Sequence, residues 1–258
     1  LDRWMLQRTA EVMDEITEAF EGYEFFRFFQ LLQNFCVTDL SNFYLDIAKD
    51  RLYVSAPADR RRRSCQTVMA LIIERLAGFI APVLCHMAED IWQNLPYPVQ
   101  ETSVFQRGWP TVPSAWRNDT LSAPMQQLRD LRAAVNKVLE DCRGRQELGA
   151  SLEAAVRIDA RSPELEAALC WLSDNGDPEV DGLRDWLLVS QLQLGGEPWA
   201  EVLASHDDEL ASIEVSRARG TKCERCWHYE GDVGQHPEHP HICGRCVGVL
   251  ERRTHQLA

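Results

Sequence analysis

The sequence predicts a mainly α protein in which a helical bundle is followed by a small α+β unit and a C-terminal zinc finger. Three observations carry this prediction. Apolar residues recur at helical spacing as far as Arg143, several short strand-like segments follow, and two Cys-x-x-Cys pairs lie near the end of the chain.

The first half reads as helices with identifiable interruptions. Residues 2–21 form an amphipathic pattern that Gly22 ends, and a second helical run extends over 25–52, with a bend expected at Thr38 or Ser41. The second run is rich in aromatic residues, and these fit either a helical core or a platform for stacking.

A third helical pattern is expected to start after Asp59, a plausible N-cap, and to run to about Asn94. Pro82 lies inside it and predicts a kink or a break. The arginine run 60–63 lies at the helix start, where cations are disfavoured by the helix dipole. It is open to two interpretations, a phosphate contact or a solvated face with one or two structural ion pairs.

The second half changes period. Residues 95–116 predict an extended connection, and 119–143 another helix that ends near Gly144. The remaining predicted elements are strands at 151–158, 187–194 and 213–217, with a short helix from Ser162-Pro163 to about Trp171.

The composition of the 258 residues is ordinary for a globular protein, at 45% hydrophobic and 26% charged. No run of 18 apolar residues is present and the first 30 residues are charged throughout, so neither a membrane span nor a signal peptide is predicted. Five of the nine cysteines stand singly in helix-like sequence and are expected to be buried thiols in a reducing cytosol: Cys36, Cys65, Cys85, Cys142 and Cys170.

The charge is acidic and unevenly distributed. A net charge of −13 argues against a broad electrostatic attraction to nucleic acid. Residues 1–50 carry ten acidic and four basic side chains, whereas residues 214–258 carry six acidic and seven basic ones. Because the excess of acid lies outside the tail, any nucleic-acid contact is expected to be local.

Four cysteines predict a structural zinc site. The pairs Cys223/Cys226 and Cys243/Cys246 are separated by sixteen residues, a spacing typical of two knuckles that share one tetrahedral Zn²⁺. Two disulfides or a redox-active pair are the alternative. A cage that includes a histidine is another, because the intervening loop holds His228, His236, His239 and His241.

The sequence contains no recognisable reaction centre. Phosphate-binding glycine loops, a G-x-S-x-G elbow and an H-E-x-x-H motif are all absent. His86 and Glu89 lie one helical turn apart, but further ligands are not evident and structural packing is favoured. A closed four-cysteine zinc site has no open position at which water is activated.

Several motifs resemble the C-terminal region of the bacterial isoleucyl-tRNA synthetase family. The segment Lys222-Cys-Glu-Arg-Cys-Trp-His-Tyr229, followed by Ile242-Cys-Gly-Arg-Cys-Val247, is similar to the terminal zinc motif of that family. Other segments occur in family order from Leu1 onward and resemble its anticodon-binding helices and the junction to its zinc module: 41–53, 62–68, 79–92 and 148–155.

The resemblance implies a helical anticodon-binding domain at 1–117, a junction domain of one helix and a small α+β unit at 118–212, and a zinc-finger module at 213–258. The family is a class I aminoacyl-tRNA synthetase that ligates isoleucine to tRNA using ATP. Neither of its catalytic motifs is in this sequence, so we expect a non-catalytic, tRNA-reading part of a longer chain that starts before Leu1.

The same resemblance implies that Arg225 and Trp227, which flank Cys226, contact RNA. Single-stranded loops of RNA are read by side chains that stack on splayed bases and bond to their edges. The implied partners are the anticodon stem-loop of tRNA(Ile) and the upstream catalytic domain, in a cytoplasmic monomer without membrane contact. The implied cofactors are one structural Zn²⁺ and, in the catalytic domain only, ATP.

Two alternatives of other classes remain. A stand-alone adaptor derived from the synthetase would bind tRNA or protein without an upstream catalytic domain. A DNA-repair glycosylase with a related four-cysteine finger would need a catalytic amine at an exposed N-terminus, which Leu1-Asp2 does not offer.

Overall fold

The structure, a computed structural model, describes residues 1–176 and 182–257. It divides into two compact units, the first comprising Leu1–Asp46 and Arg63–Asp119, the second Ile47–Arg62 and Thr120–Ala258. The three-domain division with boundaries after residues 117 and 212 stays a prediction.

The described helices and strands follow the predicted order closely. The helices are α1 (Asp2–Glu21), α2 (Phe25–Asn34), a π-helical segment (Phe35–Leu45), α3 (Asp46–Tyr53), α4 (Arg60–Ile80), α5 (Cys85–Gln93), α6 (Ser122–Gly144), α7 (Pro163–Asn175), α8 (Leu183–Leu187) and α9 (Gly244–Leu257). The strands are β1 (Ala154–Ala160), β2 (Gln191–Leu194), β3 (Ala204–Asp207), β4 (Ala211–Arg217), β5 (Thr221–Lys222) and β6 (Tyr229–Glu230). The mainly α class is confirmed.

Helix α1 is the central element of the first unit. Trp4 packs edge-on against Phe43 with 5.3 Å between ring centroids. Asp2 accepts hydrogen bonds from the Tyr44 hydroxyl, at 2.9 Å, and from Ser64. The π-helical segment lies where the sequence predicted a bend.

The aromatic residues of the second helical run serve both the core and the surface. Phe28, Phe35 and Phe43 are buried, whereas Phe26 is 74% exposed and Phe29 is 56% exposed. The sequence predicted a mainly core role. Position 26 lies about 160° and position 29 about 100° around the helix from position 28, so neither shares the buried face of Phe28.

The long helix predicted to end near Asn94 is broken at Pro82, as expected. Helix α4 ends at Ile80 and α5 begins at Cys85. Asp59 caps the start of α4, because its Oδ1 accepts the Arg61 backbone N–H at 2.8 Å.

The connection from 95 to 116 lies against the helices of the first unit. Trp109 packs with Phe20 and with Phe79, in each case with 5.0 Å between ring centroids. Gly78 allows this approach, since a Cβ atom there would lie 2.4 Å from Pro110 Cγ. Because Gly78 has no side chain, the connection packs closely against α4 at this point.

A four-stranded mixed sheet in the order β2-β1-β4-β3 forms in the described part of the second unit. Strand β1 pairs in parallel with β2 and antiparallel with β4, which places Val156 opposite Val215 and Ile158 opposite Ile213. All four side chains are buried, and α6 packs on α7 and on strands β3 and β4.

The prediction of one strand over 187–194 is wrong in its first half. Trp186 and Leu187 are buried at the end of α8, and Leu188 has a left-handed backbone with φ of 56°. The apolar run therefore ends a helix, turns at Leu188, and becomes a strand at Gln191. Strand β3 was missed because its sequence, Ala-Ser-His-Asp, is polar and lacks β-branched residues.

The prediction that five single cysteines are buried thiols holds for two of them. Cys65 and Cys142 are buried, Cys36 is half-buried, and Cys85 and Cys170 are exposed. Each of the exposed pair lies on the solvent side of its helix. No described helix combines the length and the apolar character that crossing a membrane requires.

Candidate metal centre and RNA-binding surface

The four predicted cysteines converge on one buried point of the second unit. Their sulfur atoms all lie within 4.8 Å of one another, with Cys223 Sγ 3.8 Å from Cys246 Sγ and Cys226 Sγ 3.7 Å from Cys243 Sγ. A tetrahedral Zn²⁺ with Zn–S bonds of about 2.3 Å places its sulfurs about 3.8 Å apart. The donor set therefore fits one structural zinc ion.

The alternatives to four thiolates do not match this geometry. The cysteines are free, and their separations are far longer than the roughly 2.05 Å of a disulfide bond. Among the described residues, the candidate metal-binding group contains these four cysteines and no histidine. His228 is buried beside them, but its Nδ1–H donates to the Cys226 carbonyl oxygen at 3.3 Å.

The first knuckle consists of Cys223–Cys226 and the turn at Trp227. The Trp227 backbone N–H donates to the Cys223 carbonyl at 2.9 Å, and Cys223 N–H donates to the His228 carbonyl at 2.8 Å. Strands β5 and β6 pair on either side of it. Gly220 makes the hairpin possible, since its φ is +99° and a Cβ there would lie 2.5 Å from the Glu230 carbonyl oxygen.

The second knuckle opens helix α9. Cys243 N–H donates to Cys223 Sγ at 3.3 Å, and Gly244 N–H donates to Asp232 Oδ2 at 2.8 Å. The first turn of the helix thus directs one backbone N–H group toward the Cys223 sulfur and another toward the Asp232 carboxylate.

Arg225 lies partly buried against the metal centre. Its Nη2 donates to the Val54 carbonyl at 2.7 Å, and its Nη1 lies 3.6 Å from Cys246 Sγ. Val54 is itself packed among the four cysteines. The family resemblance implies RNA contact by Arg225, and that role stays a prediction beside this set of protein contacts.

A second arginine, Arg245, attaches the zinc module to α3. Its guanidinium donates to both carboxylate oxygens of Asp50, each at 2.8 Å. Burial acts to raise the pKa of Asp50, but the hydrogen bonds and charge of Arg245, with the charge of Arg61, bring that pKa below its usual range. Asp50 is therefore held as a carboxylate.

The arginine run 60–63 has protein partners in this region. Arg61 pairs with Asp185 and lies 3.7 Å from Asp50, and Arg62 lies near the Ser55 carbonyl at 3.5 Å. These contacts favour the interpretation of structural ion pairs over that of a phosphate contact.

The thiols have unequal affinities for protons. Hydrogen bonding with the Cys246 thiol lowers the pKa of Cys226 below its ordinary value, against the opposing effect of burial and with further help from His228 and Arg245. Burial raises the pKa of Cys243 to about 11. Binding of Zn²⁺ at neutral pH therefore requires at least the Cys243 proton to leave.

Trp227 is the exposed side chain of the first knuckle. The residue is 62% exposed, and the Lys222 ammonium lies 5.6 Å from the centroid of its ring. Its φ is 68°, a left-handed backbone conformation that residues other than glycine rarely adopt. The knuckle thus presents a large aromatic face to solvent, with a cation beside it, and RNA contact by Trp227 stays a prediction.

Sequence reasoning missed several residues of this centre. Val54 lies 171 residues upstream of Arg225 and Asp50 lies 195 residues upstream of Arg245, so no spacing signal connects either residue to the knuckle it contacts. The sequence shows Lys222 only as the residue before Cys223 and does not indicate that its ammonium group lies beside the Trp227 ring. Nothing in the sequence indicates that the Arg245 guanidinium pairs with a carboxylate of the protein and not with solvent.

Comparison with known proteins matches both parts of the chain. Residues 2–158 match the family model described as the anticodon-binding domain of tRNA ligase. Residues 220–248, which include the four cysteines, match the model described as the zinc finger found in FPG and IleRS.

Curated relatives match over nearly the whole chain. Isoleucine–tRNA ligase of Parasynechococcus marenigrum (strain WH8102) is 93% identical over 257 residues, which cover 100% of this chain and 26% of the relative. Isoleucine–tRNA ligases of Prochlorococcus marinus (strain MIT 9313) and Synechococcus sp. (strain CC9311) are each 76% identical over 253 residues, or 98% of this chain and 26% of the relative. The chain thus spans about a quarter of the length of these relatives.

Proposed function

Because the chain belongs to the anticodon-binding domain family of tRNA ligases, we propose that it recognises the anticodon stem-loop of tRNA(Ile). The amino acid is inferred from the names of the relatives, which are isoleucine–tRNA ligases. In this proposal the chain contributes recognition, and the ligation of isoleucine to tRNA using ATP is carried out by the part of the protein that the chain does not include.

The observation that carries the proposal is the exposed Trp227 ring on a knuckle held by four cysteines. A splayed base gains roughly 1–3 kcal/mol by stacking on an aromatic side chain. Since the metal centre and the β5–β6 pairing fix the backbone on both sides of Trp227, little conformational entropy is lost when a base stacks there.

Arg225 is the second proposed RNA contact. A guanidinium carries five N–H donors, and the contacts to Val54 and Cys246 engage one on each Nη atom. The remaining donors are available for a phosphate or a base edge near Trp227. Arg225 would then connect the metal centre to the bound RNA.

We further propose a cytoplasmic, monomeric protein in which this chain follows a catalytic domain. The stand-alone adaptor is the alternative, and the gene sequence upstream of Leu1 distinguishes the two. Only the zinc-finger match is compatible with the glycosylase alternative. The longer match, over residues 2–158, is to a domain of tRNA ligases.

The proposal is tested by titrating the zinc-loaded chain with the anticodon stem-loop of tRNA(Ile). Trp227→Ala is expected to weaken binding by about 1–3 kcal/mol, or roughly 5- to 150-fold, if the ring stacks on a base. Val202→Ala, which truncates an exposed apolar side chain outside both matched segments, is the control and is expected to bind like the parent.

Equal affinity of the parent and Trp227→Ala, with zinc content unchanged, would assign Trp227 a packing role instead. Absence of any preference for this stem-loop over that of an unrelated tRNA would contradict the proposed function itself.

A further inference from the structure

A short basic strip, consisting of Arg217, Arg219 and Lys222, leads from the end of strand β4 to the first zinc knuckle. All three residues are exposed. In the described part of the chain none of them has a carboxylate within ion-pair distance, although the net charge of the protein is −13. Three uncompensated cations within six residues are therefore unusual for this molecule.

The backbone of the strip is fixed. The Gln191 side chain donates from Nε2 to the Arg219 carbonyl at 2.8 Å and accepts the Arg219 N–H at Oε1, at 3.0 Å. Lys222 is held by the β5–β6 pairing, in register with Tyr229. The charged groups therefore project from a preorganised segment, which reduces the entropy cost of contacting a ligand.

One end of the strip borders a groove and the other end borders Trp227. Arg217 and Arg219 line a groove of about 650 Å³ together with Trp199, whose indole N–H donates to Gln193 Oε1 at 3.1 Å. At the other end, the Lys222 ammonium lies 5.6 Å from the Trp227 ring centroid. An extended chain spans at most about 3.6 Å per residue, so Arg217 lies within about 18 Å of Lys222.

The charge of the groove indicates which side a polyanion would follow. Glu197 and Glu201 also line it and would repel phosphates. The strip is the cationic side and continues without a carboxylate partner to the knuckle. A single RNA strand that places one base on Trp227 would then have its adjoining phosphates nearest to the strip.

We propose that Arg217, Arg219 and Lys222 bind successive phosphates of the RNA strand whose base stacks on Trp227. This inference rests on the proposed function and adds the path of the RNA backbone to it. Phosphate contacts position the strand and carry no sequence information, so the strip would set affinity while the knuckle sets specificity.

The test is the salt dependence of binding between the zinc-loaded full chain and the anticodon stem-loop of tRNA(Ile). Each phosphate contact to a single strand contributes about 0.7 to the slope of log K against log salt concentration. The triple variant R217Q/R219Q/K222Q is expected to reduce the magnitude of that slope by about 2, and to weaken binding to matched and unmatched stem-loops alike.

The control is R3Q/K137Q/R252Q, which removes three exposed cations from other elements and gives the same net charge. It is expected to keep nearly the parental slope. If the two triple variants have equal slopes while Trp227→Ala still weakens binding, the phosphate path is wrong and the proposed function stands. If the parent does not bind the stem-loop, the proposed function and this inference both fail.

Discussion

At the scale of single residues, Trp227 combines a costly backbone conformation with an exposed ring. A left-handed backbone costs a residue with a Cβ atom roughly 1–2 kcal/mol relative to glycine. The ring is mostly exposed, so burial of apolar surface does not repay that cost. Strain retained at an exposed position is what one expects where the side chain serves binding.

Substitution of Trp227 by glycine and by alanine separates the two effects. Trp227→Gly is expected to be more stable than Trp227→Ala by about 1 kcal/mol, because only glycine adopts this φ without strain. Both variants are expected to bind RNA equally poorly. Chemical denaturation of the zinc-loaded variants measures the stability, and titration with the stem-loop measures the affinity. An alanine variant at least as stable as the glycine variant would contradict the strain argument.

The sequence predicts the four cysteine ligands of this centre but not the residues that hold the zinc module in place. The four cysteines could be predicted because zinc knuckles require short, fixed spacings that are visible in one dimension. The partner of Arg245 could not, because Asp50 lies 195 residues away and each residue alone resembles an ordinary surface charge. The exposure of Trp227 likewise depends on the hairpin geometry that Gly220 permits.

At the scale of elements, helix α3 and the zinc module are joined by the Asp50–Arg245 pair. Both oxygens of Asp50 are engaged, and the Asp50 side chain is 11% exposed. A bidentate pair in this environment is shielded from solvent, so removing one partner leaves a charge without its hydrogen bonds.

Asp50→Ala is therefore expected to lower the free energy of unfolding of the second unit by about 2 kcal/mol. Asp207→Ala, which breaks an exposed pair with Arg161 in the same unit, serves as the control and should cost at most about 1 kcal/mol. Urea denaturation of the zinc-loaded variants measures both. Equal costs for the two substitutions would show that the Asp50 pair adds no more than a surface ion pair.

Helix α5 offers a pH-dependent contact that is independent of zinc. Glu89 accepts hydrogen bonds from Gln93, from the Ser103 hydroxyl at 2.9 Å and from the Val104 N–H at 3.0 Å. These hydrogen bonds, that of Gln93 foremost, lower the pKa of Glu89 from its ordinary value of 4.5. The carboxylate thus fastens the following connection to α5.

Because the folded-state pKa is depressed, the contribution of Glu89 is complete above about pH 4.5 and is lost as the pH falls through its folded-state pKa. Glu89→Gln, which cannot ionise, is expected to be less stable than the parent at pH 7 and to approach it in acid. Thermal unfolding between pH 7 and pH 3 measures the difference. A stability gap that does not change with pH would refute this role.

At the scale of the whole molecule, the predicted order of a helical bundle, a small α+β unit and a zinc finger is confirmed. Periodicity was sufficient for the helices, since their apolar faces repeat over many turns. It failed at residues 187–190, where a buried helix end and a strand share one apolar run. It also gave no sign that residues 47–62 belong to the same compact unit as the zinc module.

Removal of zinc is expected to affect that distant segment as well as the finger. Val54 packs among the four cysteines and its carbonyl accepts from Arg225, so loss of the metal should loosen residues 47–54 together with 221–230. Hydrogen exchange before and after chelation should show protection there falling on the order of tenfold or more. Unchanged protection of 47–54 would mean that α3 does not depend on the metal centre.

The central claim is that the zinc knuckle itself touches the anticodon. Photo-cross-linking of the zinc-loaded chain to a tRNA(Ile) stem-loop with 4-thiouridine in the anticodon, followed by mass spectrometry of tryptic peptides, measures this directly. We predict a principal cross-link within the peptide 226–245, at Trp227. Cross-links that map only to peptides outside the zinc module, with zinc still bound, would contradict the account.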